Sequence, residues 1–142
     1  MAELLPGWCL AVVTIRGEAD GEPFEGKVAV GEVIRERMAR RYSSDGTVAG
    51  TVLWPQQFSL FNTGDPGRIR ACQADAEDPL TVEAARAWAE SKKRLLLPAG
   101  AVLYHAAQMA KYPEWSAAAT VRLVKPIGRH LFYIDTVALG GK

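Results

Sequence analysis

The sequence predicts an α+β fold, mainly helical, with the helices first and a small antiparallel hairpin near the C-terminal end. Two observations carry this. Apolar residues recur at three- and four-residue spacing between positions 26 and 41, and a second helical stretch opens at Asp78-Pro79. Much later, TVRLVKPIGRHLFYID holds two runs of strand composition joined by Lys125-Pro126-Ile127-Gly128. Helices followed by a hairpin exclude a doubly wound parallel sheet. With 142 residues, no repeat and no linker composition, the chain reads as a single domain, 1–142.

The elements follow in order. Leu4–Arg16 is almost wholly apolar and so expected to be buried. Val12, Val13, Thr14 and Ile15 favour a strand, whereas the length allows a helix, so the residues alone leave its type open. The turn-rich segment GEADGEPFEGK follows, with Gly17, Gly21, Pro23 and Gly26. From Gly26 to about Arg41, Val30, Val33, Ile34 and Met38 form one apolar stripe. Glu32, Arg35, Glu36 and Arg40 lie off it, with Glu36 and Arg40 in the favourable i,i+4 order. The cluster Arg35, Arg37, Arg40 and Arg41, interleaved with acids, reads as a solvated helix face. A short helix is expected over Thr47–Leu53. In the next long helix Asp78 is the N-cap, Pro79 occupies the first position, and Ala84, Ala85 and Trp88 give the apolar face. The basic turn Lys92–Arg94 suits its C-terminal dipole. After Pro98–Gly100 the segment AVLYHAA is apolar.

Composition excludes several function classes. Seventeen basic and sixteen acidic side chains give a formal charge of +1, which supplies no general attraction to nucleic acid. Cys9 and Cys72 form no CxxC pair and suggest neither a zinc site nor a disulfide framework. Cys9 is expected to be a small buried hydrophobe, and two free thiols fit a reducing compartment. The N-terminal apolar stretch is shorter than the ~20 residues that span a bilayer. It carries Glu3 where an export signal carries Lys or Arg. Synthesis in the cytoplasm, without membrane insertion, is the expectation.

The densest group of unusual residues is GEADGE, with Glu18, Asp20 and Glu22 among glycines just after an apolar segment. Burial there would raise a carboxyl pKa and let the group deliver a proton at neutral pH, as glycosidic cleavage requires. From spacing alone, an ordinary acidic surface turn is the favoured explanation. In WPQQFSLF the aromatics Trp54, Phe58 and Phe61 alternate with Gln56 and Gln57. Ring faces beside amides suit sugars, and core aromatics pinning a loop suit the pattern equally. His105 and His130 could join Glu18 in a two-histidine, one-carboxylate site, but the spacing matches no zinc signature. No metal and no cofactor is therefore expected. Ser59 and Ser116 sit in no G-x-S-x-G elbow, and no P-loop is present.

Four stretches in one order resemble the cell wall hydrolase family typified by spore-cortex-lytic enzymes. They are IRGEADGEPFEGKVAVGEVIRERM, TVLWPQQFS, LYHAAQMAKYPEW and IGRHLFY, spanning roughly Ala11 to Tyr133. The resemblance implies a lysozyme-like fold of the lytic transglycosylase type, which turns the first apolar segment into a helix. It implies cleavage of the β-1,4 bond between N-acetylmuramic acid and N-acetylglucosamine, with peptidoglycan strands as partner and a monomer as the working unit. Glu18 matches the family's catalytic acid, and Glu22 a possible second acid. Gln57, Phe58 and Ser59 match a cleft-lining segment, and Tyr104 with His105 an aromatic–polar pair beside the sugar, although relatives often carry asparagine at the latter position. His130 and Tyr133 match the closing strand. Asp20 stands where arginine is frequent.

A catalytic domain without an export signal further resembles a phage endolysin, made in the cytoplasm and acting on the wall after release. The expected chemistry is a non-hydrolytic cut leaving 1,6-anhydro-muramic ends. A hydrolytic muramidase, or an inactive glycan-binding or virion structural protein on the same fold, is the alternative.

Overall fold

The computed structural model describes residues 7–55, 58 and 77–140. Helix α1 (Gly7–Glu18) leads by a tight turn into α2 (Phe24–Arg40), followed by the short α3 (Val48–Val52) and by α4 (Pro79–Ser91). Strands β1 (Ala101–Ala106), β2 (Val121–Ile127) and β3 (His130–Asp135) then form an antiparallel sheet in the order β1-β3-β2. The predicted hairpin is thus β2–β3, but its turn is Gly128-Arg129 and not Lys125–Gly128, because Lys125–Ile127 pair with β3 as the end of β2. The apolar AVLYHAA segment adds a third strand on its other edge. Among the described residues, no helix is long and apolar enough to cross a membrane.

Local chemistry explains the boundaries. Asp78 caps α4 by accepting from the Leu80 amide at 2.8 Å, with Pro79 at the first helical position. Thr47 caps α3 by accepting from the Gly50 amide at 2.9 Å. The hairpin turns at Gly128, whose φ of +58° a glycine adopts without strain. Gly31 lets α4 come close to α2, since a Cβ there would stand 2.7 Å from Ser91 Oγ.

The α2 stripe does face the core, where Val30, Val33 and Ile34 join Leu10 and Ile15 of α1, Ala84 and Ala87 of α4, and Phe132 of β3. Burying a ring such as Phe132 contributes roughly 1.5–3 kcal/mol. The other face of the sheet carries a smaller cluster of Leu103 and Tyr133, covered by Trp115 and Leu131.

Two expectations are corrected. The N-terminal turn of α1 is not buried: Trp8 is exposed and Cys9 only half-buried, and burial begins at Leu10. More consequentially, the charged side of α2 is solvated only at its C-terminal end, where Arg40 and Arg41 are exposed, whereas Arg35 is half-buried and Arg37 buried. Glu32, Glu36 and Arg37 are only 2%, 4% and 3% exposed, because the segment after α4 folds across them. Glu32 accepts from the Leu96 and Leu97 amides, Glu36 accepts from the Gly100 amide at 2.6 Å, and Arg37 Nε donates to the Val102 carbonyl at 2.6 Å. Irregular backbone buried in this way needs partners, and the helix supplies them. The anticipated Glu36–Arg40 pair is present at 3.3 Å, and Arg94 joins the same carboxylate.

Candidate active site

Glu18 is the last residue of α1. The next residue, Ala19, is fully buried and anchors the turn: its amide donates to the Ile15 carbonyl at 2.9 Å, and its own carbonyl accepts from the Glu22 amide at 3.0 Å. This folds GEADGE back on itself, so that Glu18, Asp20 and Glu22 line one cavity of about 240 Å³. Ala106 at the end of β1, Gln108 beyond it, Arg129 in the hairpin turn and His130 at the start of β3 complete the wall. The acidic turn is therefore not a plain surface loop.

The acids are held differently. Glu22 is buried and clamped by one residue of the hairpin: Oε1 accepts from the Arg129 amide at 2.7 Å and Oε2 from its Nε at 2.8 Å. The turn fits closely here, since a Cβ on Gly128 would lie 2.5 Å from Glu22 Oε1. Burial alone would push the Glu22 carboxyl up, but the Arg129 hydrogen bonds, with the His130 and Arg129 charges, hold it below the ordinary carboxylate range. It is an anchored anion. Asp20 accepts from Arg16 Nη1 at 2.8 Å, and Arg16 also reaches Asp78 at 3.6 Å. Glu18 is half-buried, and its charge is felt by two interior groups, the Arg37 guanidinium and the Tyr104 phenol. Burial first, and Glu18 second, push the Tyr104 hydroxyl well up, so it stays protonated as a donor.

His130 lies 3.6 Å from Glu22 through Nδ1, and its ring is 5.0 Å from that of Tyr104. Burial pulls its proton affinity down and the Glu22 charge only partly restores it, so the ring is neutral at pH 7. Among the described residues, no group of three or more histidine, cysteine or acidic side chains is placed to hold a metal ion.

The remaining predicted site residues divide. Tyr104 packs on Phe132 and His130, on the sheet face toward the helices. His105 does not share that face, because successive strand residues point to opposite sides. It is enclosed by Tyr112, Trp115 and Tyr133. Its Nδ1 donates to the Ala106 carbonyl and its Nε2 accepts from the Tyr133 hydroxyl, both at 2.7 Å, so both ring nitrogens are occupied. The expected aromatic–polar pair is thus split, and His105 braces the segment that carries Gln108. Phe58 is also corrected: it is 2% exposed, in the core beneath Arg37, and offers no ring face to a sugar. Gln57 and Ser59 lie outside the described residues. Sequence reasoning overlooked Arg129, quoted within IGRHLFY without a role. The available signal was a cation directly after a turn glycine, just before a strand.

Residues 21–133 match the sequence model of the cell wall hydrolase family. Over 118 residues the chain is 30% identical to a spore cortex-lytic enzyme of Oceanobacillus iheyensis, a stretch that is 83% of this chain and 38% of that relative's length. The catalytic domain of the germination-specific lytic transglycosylase SleB from Bacillus anthracis has the same fold, with a TM-score of 0.67 at 24% identity, covering 89% of this chain and 92% of that one. The catalytic domain of the Bacillus cereus SleB protein matches with a TM-score of 0.67 at 25% identity, over 89% and 88% of the two chains.

Proposed function

The chain belongs to the cell wall hydrolase family, and we propose that it cuts the glycan strand of peptidoglycan as a lytic transglycosylase, with Glu18 as acid and then base. The supporting observation is that Glu18 and Glu22 share a cavity and that Glu22 is clamped there by Arg129. A carboxylate hydrogen-bonded twice by Arg129 is a poor proton donor at neutral pH. Glu18 instead closes α1 beside the phenol of Tyr104, a donor that can orient a carboxylate or a sugar oxygen.

In the proposed reaction Glu18 gives its proton to the glycosidic oxygen as the C1–O bond breaks, leaving N-acetylglucosamine with a free 4-hydroxyl. The muramic C1 becomes oxocarbenium-like. Glu18, now a carboxylate, takes the proton of the 6-hydroxyl while O6 bonds to C1, and a 1,6-anhydro sugar leaves. One acid suffices and no water enters. A hydrolytic muramidase would draw on a second carboxylate for water or for the cation. The Glu22–Arg129 clamp and the Asp20–Arg16 pair favour the single-acid route.

Mass spectrometry of muropeptides released from purified peptidoglycan tests this. Wild type should yield anhydro-muramic ends, and Glu18→Gln should release them about a thousandfold more slowly, the scale of general acid–base catalysis. Reducing muramic ends would make the enzyme a muramidase. No release would leave a glycan-binding protein, and undiminished release by the variant would sink the role of Glu18.

A further inference from the structure

At the opposite end of α2 lies a cavity of the other sign. It has a volume of about 330 Å³ and is lined by Arg35, Met38 and Ala39 of α2, Gly46 beyond it, and Lys92 and Arg94 just after α4. No carboxylate lines it among the described residues. At 1.5 Å of rise per residue, it sits on the order of 20 Å along the helix from the acidic turn.

Arg35 is built into the wall. Its Nε donates to Ser91 Oγ at 2.8 Å, its Nη2 donates to the Trp88 carbonyl at 2.7 Å, and its guanidinium lies over the Trp88 ring at 3.7 Å. All these partners are neutral, so the cation is fixed in place while its charge is left unmatched by them. Burial and then the Arg94 charge lower its hold on the proton, and both cations line this cavity. Arg94 sits at a φ of +57° and shares Glu36 with Arg40 and the Gly100 amide. Lys92 is exposed. Arg41 stands beside Gly46 but donates to the Asp45 carbonyl, with the Asp45 carboxylate close by, so it adds little. The unmatched charge is that of Arg35 and Lys92, with Arg94 behind them.

We propose that this basic cavity is a phosphate-binding site by which the enzyme docks on an anionic phosphodiester polymer of the cell wall. Cations converging from two elements suit a tetrahedral anion with several charged oxygens, whereas a carboxylate is met by one arginine fork. A bound anion would also relieve the repulsion between Arg35 and Arg94. A single concave pocket on a chain of net charge +1 does not suit nucleic acid, whose binding needs a basic stripe meeting many phosphates.

The test is co-sedimentation of the full chain carrying Glu18→Gln with purified walls, intact or stripped of phosphodiester polymers by hydrofluoric acid. Wall digestion is not read, so the outcome is independent of the proposed cleavage. Binding to intact walls should be about tenfold tighter, the scale of one charge-assisted contact. Adding Lys92→Gln, at an exposed position, should remove that difference, as should Arg35→Gln. Inorganic phosphate should shift the amide resonances of Lys92–Arg94 in wild type and not in Lys92→Gln. Equal binding to both walls, undiminished binding by Lys92→Gln, or equally tight capture of duplex DNA at the same salt would overturn the proposal.

Discussion

The acids just before α2 and the acids within it look alike in the sequence and do different work. Glu32 and Glu36 are buried against the segment that follows α4 and accept from its backbone amides. Glu22 does the same for the hairpin turn, but from the wall of a cavity. Glu18, four residues earlier, opens on that cavity. The gradation runs from purely structural, through structural at the edge of the site, to the group proposed for chemistry. A carboxylate's job here is set by which distant backbone segment arrives to use it, not by its immediate neighbours.

The largest stability loss should come at the structural extreme. Glu36→Gln keeps one acceptor but presents an amide to Arg94, Arg40 and the Gly100 amide, which should cost about 3 kcal/mol in denaturant unfolding. Turnover per folded molecule should be kept. A variant as stable as wild type would mean that those contacts carry no weight. Next comes the boundary case. Gly128→Ala combines a positive φ with a Cβ aimed at Glu22 Oε1, and should cost about 2 kcal/mol while lowering activity, since the clamp must shift. Unchanged activity would separate the hairpin turn from the site.

The smallest effect is expected at Glu22 itself. Arg129 is largely exposed, so the pair is screened and Glu22→Gln should lose only about 1 kcal/mol at pH 7. Its signature is in the pH dependence. The folded carboxyl is held below its ordinary 4.5, so the unfolded chain binds more protons as acid is added. The stabilisation is therefore full above that value and is lost as pH falls below it. Unfolding curves should converge for wild type and variant toward low pH, and a constant gap would contradict the clamp.

Much of this architecture could be read beforehand where the signal is local. Asp78-Pro79 marks the start of α4, the Val30–Met38 stripe marks α2, and Gly128 marks the hairpin, because each depends on residues within a turn of one another. Glu18 and Glu22 were found together because one short turn brings them together. What stayed hidden was long-range. The burial of Glu32, Glu36 and Arg37 depends on backbone sixty-odd positions later, and i,i+4 charge spacing resembles a wet surface whether or not another segment covers it. The split of Tyr104 from His105 needed the strand assignment of a short apolar run, and periodicity leaves such runs ambiguous.

The clamp on Glu22 joins positions 107 apart in the chain. During synthesis the acidic turn emerges well before the hairpin, and the wall of its cavity does not exist until the hairpin has been made and docked. Helices α1 and α2 can gather before then, but the groups that fix Glu22 are still missing. The centre is thus finished only after the hairpin, and a chain halted before Arg129 would carry every acid of the site without the shape that sets them to work.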